Sequence, residues 1–142
     1  AMKAAETGHL LISTVHTPDA QSTVLRIMAM FPPEEQDVVR VRLAESLHAV
    51  ISQRLLPRKD GNGRVAALEI MIVTPTIRDL MLDRDKVNEI RDYIAAGHEQ
   101  YGMQTFDQHL EQLVKEDVIE LKVALAASTR PSDLALKFNM GG

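Results

Sequence analysis

The first apolar run of the chain, residues 10–15, is short and does not alternate with polar positions. Such a run is typical of a β-strand that is buried on both faces in a parallel sheet. Thr17 and Pro18 follow it and suit the cap and first turn of a helix, which we expect to extend to Met30. His16 would then lie at the carboxyl end of the strand. Open α/β sheets bind ligands at that edge, and a helix start beside it favours phosphate.

The next stretch predicts a second helix and a hairpin. Phe31 is followed by two prolines that end the first helix. Apolar residues then recur at spacings of four, four and three, which indicates a helix with one buried face. These residues are Val39, Leu43, Leu47 and Val50. Residues 52–57 and 64–73 are typical of strands, and the glycine-containing stretch 58–63 between them indicates a β-hairpin.

From Thr74 onward the pattern predicts only short helices. Thr74 and Pro75 open one that extends to about Leu82, and a later one begins near residue 104 or 105. Two helices are marked by apolar residues at helical spacing: Val87, Ile90 and Ile94 before Gly97, and Phe106, Leu110, Leu113 and Val114. Residues 119–127 and 131–138 complete a helical tail. We therefore predict a sheet-bearing part, residues 1–73, and a helical region, residues 74–142.

Composition narrows the class of protein. The chain has 142 residues, about one domain's worth, and a net charge of −4 from 16 basic and 20 acidic side chains. No polybasic run is present, which argues against a nucleic-acid partner. The chain has no cysteine, which excludes disulfides and cysteine-based zinc sites, and no apolar run is long enough for a transmembrane segment. We expect a cytoplasmic protein.

The chemistry candidates are two histidines, His9 and His16, with Thr14 and Thr17 beside the second. Seven residues apart on one strand, the two imidazoles would point to opposite faces, so we expect no metal site. A histidine that donates to a backbone carbonyl remains an alternative interpretation of either residue. Three further histidines, His48, His98 and His109, fall on predicted helices or a helix end and are interpreted as surface or packing residues. No pattern indicates a Ser/His/Asp or Cys/His nucleophile.

A family resemblance adds to this interpretation. Residues 6–17, ETGHLLISTVHT, resemble the histidine box of the type IV pilus twitching-motility ATPases, the PilT family of ring-forming secretion-type motors. Residues 44–80, 102–119 and 131–138 resemble successive segments of that family in the same order. The implied fold class is α/β. Residues 1–73 would be the C-terminal part of a RecA-like P-loop ATPase core, built of a strand, helices and the hairpin, and residues 74–142 its helical C-terminal region.

The resemblance also implies a function. It suggests part of a hexameric motor ATPase that couples ATP hydrolysis to pilus retraction and twitching motility, with ATP and Mg²⁺ bound in the full-length protein. The homo-oligomeric ring would lie in the cytoplasm against the inner-membrane pilus machinery. By resemblance, His16 would contact the γ-phosphate end of ATP or the catalytic water, and His9 would communicate across a subunit boundary. Thr14 and Thr17 flank His16 closely enough to help position the phosphate or the imidazole, and helix capping and ordinary strand packing explain them equally well. The absence of cysteine favours this branch over the pilus-assembly ATPases.

A second segment, TPTIRDLMLD at residues 74–83, aligns with the AIRNLIRE-type retraction motif of the family. Ile77, Arg78 and Leu80 keep the pattern. Five residues depart from it: Thr76, Asp79, Met81, Leu82 and Asp83. The most serious departure is Leu82, which stands where the family carries an arginine. From the residues alone, Ile77, Leu80 and Met81 would form one apolar helix face that docks on a core or a neighbouring subunit.

The sequence contains no GxxxxGK[ST] loop, and the family's acidic box, which would precede the histidine box, is not seen. A phosphoryl-transfer enzyme of this type needs both. We therefore expect a fragment that does not hydrolyse ATP or bind it tightly by itself. The alternative is a non-enzymatic helical interaction module derived from such an ATPase.

Overall fold

The chain folds around a long β-hairpin. A computed structural model describes residues 1–140, in which β1 (Ala49–Pro57) and β2 (Arg64–Ile72) pair antiparallel along their whole length. In the connecting turn, Gly61 and Gly63 have φ angles of +77° and +84°. Glycine adopts this left-handed backbone without strain, so the turn-rich sequence closes the hairpin as predicted.

Helices precede and follow the hairpin. Before it lie α1 (Met2–Glu6), α2 (Ala20–Ala29), a 3₁₀ turn (Pro33–Glu35) and α3 (Gln36–Ser46). After it lie α4 (Pro75–Leu82), a second 3₁₀ turn (Val87–Glu89), α5 (Ile90–Ala96) and α6 (His98–Tyr101). The described chain ends with α7 (Phe106–Lys115), α8 (Leu121–Ala127) and α9 (Pro131–Met140).

One face of the hairpin carries the core. Met71 packs with α2, α3, α4 and α5 in one buried cluster, and Leu56 and Ala67 pack with α7, α8 and α9 in a second. These residues lie on the same face because side chains two positions apart on a strand point the same way. The hairpin therefore joins the two clusters. The predicted division of the chain at residue 73 stays a prediction.

Two helix starts form where the sequence placed them. Thr74 caps α4, since its hydroxyl accepts a hydrogen bond from the Ile77 amide. Thr105 and Gln108 cap α7 reciprocally, each side chain accepting from the other's backbone amide. Each such cap satisfies an amide that has no partner inside its own helix. The sequence pattern does not predict two short helices, α1 near the start of the chain and α6 between α5 and α7.

The predicted strand at residues 10–15 is wrong for the described structure. A strand forms by backbone pairing with a neighbour, and β1 and β2 are the strands of residues 1–140, paired with each other. Leu10 and Ile12 are 89% and 87% exposed. The run is therefore not buried on both faces here.

Two helix limits also differ from expectation. Helix α2 begins at Ala20, and Asp19 is its cap, so Thr17 does not cap it and Pro18 does not lie in its first turn. The aspartate carboxylate accepts from the Ser22 amide at 2.7 Å, which a threonine two residues earlier cannot do. Helix α3 ends at Ser46, and Val50 belongs to β1.

No helix within residues 1–140 is both long enough and apolar enough to cross a membrane.

Candidate functional site

His16 lies on an irregular stretch between α1 and α2, with its side chain exposed. Thr14, two residues before it, is also exposed. Among residues 1–140, no side-chain hydrogen bond occupies either of them. An exposed imidazole with both nitrogens open can donate to or accept from a ligand that approaches from solvent. The stretch thus presents the predicted His16 and Thr14 outward.

His9 is engaged locally instead. Its Nδ1 lies 3.1 Å from the Thr7 hydroxyl and 3.3 Å from the Ala4 carbonyl oxygen. The Thr7 hydroxyl itself donates to the same carbonyl at 2.9 Å. The carbonyl can only accept, so a proton on His9 Nδ1 completes this arrangement. The alternative interpretation, a histidine that donates to a backbone carbonyl, therefore describes His9 in this structure.

Thr17 is tied to the first turn of α2. Its hydroxyl lies 2.6 Å from that of Thr23, which donates its own proton to the Asp19 carbonyl at 2.8 Å. Because the Thr23 proton is already used, Thr17 is the donor of the shared hydrogen bond. Thr17 thus stabilises the entry to α2.

Two side chains of the hairpin hold the stretch that follows His16. Arg54 on β1 donates from Nη2 to the Pro18 carbonyl at 3.2 Å. Glu69 on β2 accepts from the Ala20 amide through Oε1 at 3.0 Å. Neither residue stands out as functional in the sequence pattern. A signal was available, since each is a charged residue on the strand face that also carries buried Leu56, Ala67 and Met71.

Glu69 is only 4% exposed, an unusual position for a carboxyl group. Its second oxygen, Oε2, accepts from the Phe106 amide at 3.2 Å. Ala20 and Phe106 are the first residues of α2 and α7, so the carboxyl joins two helix N-termini. Burial raises the pKa of Glu69, and the two backbone amides partly offset that rise by stabilising the charged form.

The retraction-motif-like segment forms α4, and its predicted apolar face is confirmed. Ile77, Leu80 and Met81 are 0%, 6% and 1% exposed. Arg78 lies beside this face and donates from Nε to the Ala44 carbonyl at the end of α3, at 3.1 Å. In return, Arg40 of α3 donates to the Met81 carbonyl at the end of α4, at 3.2 Å.

These two arginines cap helix C-termini reciprocally, where a positive charge is favourable. No hydrogen bond or ion pair within residues 1–140 joins α4 to residues 9–17. The structure therefore shows no polar contact between the two predicted functional segments. The roles predicted for His16, His9, Ile77, Arg78 and Leu80 remain predictions.

The Asp107 carboxylate holds the short connection between α8 and α9. The Asp107 carboxylate accepts from the Ser128 hydroxyl at 2.8 Å and from the Thr129 and Arg130 amides at 3.0 and 3.1 Å. Arg91 approaches the same carboxylate at 3.4 Å. Asp107 thus caps the start of α9 from another helix. Residues 1–140 contain no group of three histidine, cysteine, aspartate or glutamate side chains that could hold a metal ion.

Comparisons with known proteins point in one direction. Residues 1–125 match the family described as type II/IV secretion system protein. The chain is 48% identical, over 87% of its length, to the twitching motility protein of Neisseria gonorrhoeae. It is 46% identical, over 94% of its length, to the type IV pilus retraction ATPase PilT of Pseudomonas aeruginosa. The chain spans 33% and 38% of these relatives' own lengths.

A solved structure agrees with the sequence matches. The described fold superimposes on the pilus retraction motor PilT with bound ADP at a TM-score of 0.82 and 38% identity. The match covers 95% of this chain and 37% of that one.

Proposed function

Because the chain belongs to the type II/IV secretion system protein family, we propose that it is part of a hexameric motor ATPase that drives type IV pilus retraction and twitching motility. The predicted fold class is confirmed, since the described residues match a RecA-like ATPase structure. The observation that carries the proposal is the agreement in both sequence and fold with retraction motors over nearly the whole chain.

In this proposal the chain carries residues that respond to bound nucleotide, and it does not supply the groups that hold the phosphates. The sequence has no GxxxxGK[ST] loop, and residues 1–140 offer no metal-binding cluster, so we assign neither the phosphate cradle nor the Mg²⁺ ligands to it. His16 would meet the γ-phosphate end of ATP or the attacking water. Its exposed position supports that role. Thr14 and Thr17 would help to orient the same group.

The exposed apolar run beside His16 supports the same proposal. Leu10, Leu11 and Ile12 are 89%, 40% and 87% exposed, although they belong to the most apolar stretch near the N-terminus. Contiguous apolar residues on a surface mark a contact with another element or partner. We propose that another part of the complete ATPase covers this run beside His16.

Ring assembly and location follow as further parts of the proposal. A closed hexamer requires two different surfaces on each subunit, one for each neighbour. His9 would communicate across one such boundary, and α4 with its motif residues Ile77, Arg78 and Leu80 would transmit motion within the helical region. The ring would work in the cytoplasm at the inner-membrane base of the pilus machinery.

The test compares two proteins. One is expressed from the complete reading frame that contains this sequence, and the other is the 142-residue chain alone. We expect the first to release phosphate from ATP and to have the mass of a hexamer by light scattering. We expect the second to show no turnover above a buffer blank, because it lacks the phosphate-binding lysine. Absence of turnover in the first protein would favour a non-enzymatic interaction module.

A further inference from the structure

Two charged residues near the middle of the hairpin, Arg54 and Glu69, lie on the strand face that carries the core. In the strand register, Arg54 lies opposite Ala67 and Glu69 lies opposite Ser52. Arg54 and Ser52 are two positions apart on β1, as are Ala67 and Glu69 on β2, so both charged groups occupy the same sheet face. Burying charge in a core costs free energy unless hydrogen bonds compensate it. Both side chains are compensated by backbone groups of other elements.

Arg54 makes three contacts in three parts of the fold. Nη2 donates to the Pro18 carbonyl, and Nη1 donates to the carbonyl of Ala127, the last residue of α8. Its guanidinium carbon lies 4.0 Å from the centre of the Phe106 ring. A planar, delocalised cation suits such a combination of two hydrogen bonds and a stacked ring, which a lysine cannot reproduce.

Glu69 complements this arrangement. It accepts from Ala20 at the start of α2 and from Phe106 at the start of α7. Phe106 is thus held twice, by its amide on Glu69 and by its ring on Arg54. The stretch from Pro18 to Ala20 is held twice as well, by its first carbonyl and its last amide. That stretch begins two residues after His16.

We propose that Arg54 and Glu69 are positioning residues for His16, which hold the stretch behind it and tie it to α7 and α8. This inference rests on the proposed function of His16 at the nucleotide. When the exposed segment moves with nucleotide state, these side chains pass the displacement to the helical region through fixed hydrogen bonds. The α4 motif is not part of this connection, because neither Arg54 nor Glu69 forms a hydrogen bond with α4.

Kinetics of the protein expressed from the complete reading frame test the inference. Arg54→Gln keeps hydrogen-bond donors but loses the charge and one arm of the guanidinium. We expect kcat for ATP hydrolysis to fall about tenfold, since small misplacement of a catalytic group is costly. KM for ATP should change less than about twofold, because binding of the ground state is not altered. The matched control is Arg64→Gln, at an exposed position of the same hairpin, which should leave both constants unchanged.

The decisive comparison is made in a His16→Ala background. If Arg54 acts through His16, Arg54→Gln causes no further fall in kcat once the imidazole is gone. An equal fall in both backgrounds would show that Arg54 only supports the fold, and would overturn the inference. If His16→Ala alone leaves kcat unchanged, the proposed function of His16 fails, and the positioning role fails with it. The two failures are thus distinguishable.

Hydrogen exchange measures directly how firmly Arg54 and Glu69 hold the stretch from Pro18 to Ala20. Arg54→Gln and Glu69→Met should speed exchange of the Ala20 amide by about tenfold or more, because methionine is similar in length to glutamate but has no oxygen acceptor. Amides of α4, which neither side chain contacts, should keep their rates. If Arg54→Gln also speeds hydrogen exchange of the α4 amides, the measurement is repeated with the milder variant Arg54→Lys. An Ala20 rate that stays unchanged in Glu69→Met, which has no oxygen to accept from that amide, would show that the carboxyl does not hold the stretch.

Discussion

At the scale of single residues, the least expected feature of the structure is the buried carboxyl group of Glu69. A carboxyl group in a strand of apolar residues is usually a surface residue, but this one is buried and bonded to the first amides of two helices. The partial positive charge of each helix start stabilises the carboxylate. Burial nevertheless dominates and raises the pKa of Glu69 above its ordinary value.

This raised pKa makes stability depend on pH. In the folded state Glu69 keeps its proton to higher pH than in the unfolded chain. Its contribution is therefore full below the unfolded pKa, about 4.5, and is lost as pH rises through the folded pKa. Glu69→Gln cannot ionise. Urea unfolding at a series of pH values should show wild type losing stability relative to Glu69→Gln as pH rises above 4.5. The opposite slope would contradict the assigned cause.

His109 has the opposite effect on the pH dependence of stability, because its pKa is lowered in the folded state. Its Nδ1 accepts the Leu68 amide at 2.9 Å, which requires a neutral ring nitrogen, and burial lowers the pKa of His109. The bond contributes about 1 kcal/mol. Its contribution is present above the unfolded pKa, about 6.5, and is lost as pH falls through the lower folded pKa.

His109→Asn tests this directly, because the amide oxygen can replace Nδ1 as acceptor without titrating. Wild type should lose stability relative to His109→Asn as pH falls below 6.5. A pH-independent difference between the two would mean that the pKa of His109 is the same in the folded and unfolded states, which would contradict the assigned effect of burial. His48→Asn, at an exposed histidine, serves as the control.

At the scale of elements, the sequence was informative where a local rule decides the outcome. The helix starts at Thr74 and near residue 105 and the glycine turn of the hairpin form as predicted, because each depends on residues only a few positions apart. The limit of α2 was missed because Asp19 competes with Thr17 and is the better cap.

The strand at residues 10–15 could not be settled by the same local rules. A short apolar run forms a buried strand only if neighbouring strands supply its hydrogen bonds, and those neighbours are not local in sequence. Arg54 and Glu69 were missed for a related reason. Their partners, Pro18, Ala20, Phe106 and Ala127, are distant in the chain, so only the fold shows that the two charges serve one stretch.

Helix α4 carries a prediction of its own. Its buried face and the Arg78 contact with α3 fix it in place, whereas Leu82 is 42% exposed. Leu82→Arg, which restores the family residue, should therefore change the free energy of unfolding by less than about 0.5 kcal/mol. We expect it to alter ATP turnover in the protein from the complete reading frame. Unaltered motor activity with unaltered stability would count against a motor role for this segment. Val38→Arg, at an exposed apolar position of α3 outside this segment, is the control.

At the scale of the whole molecule, the hairpin is the connection between two buried clusters and the exposed His16 segment. Met71 belongs to one cluster and Leu56 and Ala67 to the other, while Arg54 and Glu69 lie between them on the same face. A rigid hairpin of this kind can carry a displacement from one side to the other, because packed cores shift between discrete arrangements and do not deform smoothly. The proposed motor function needs such a path.

The proposed role of His16 at the nucleotide is tested most directly by the steady-state rate of ATP hydrolysis. The rate is compared between wild type and His16→Ala in the protein expressed from the complete reading frame. We predict a fall in kcat of about a hundredfold, within the usual range for a positioned acid–base or charge-stabilising group. KM for ATP should change little, and the control His48→Ala should match wild type. Equal kcat values for wild type and His16→Ala would contradict the assignment of His16 to the nucleotide site.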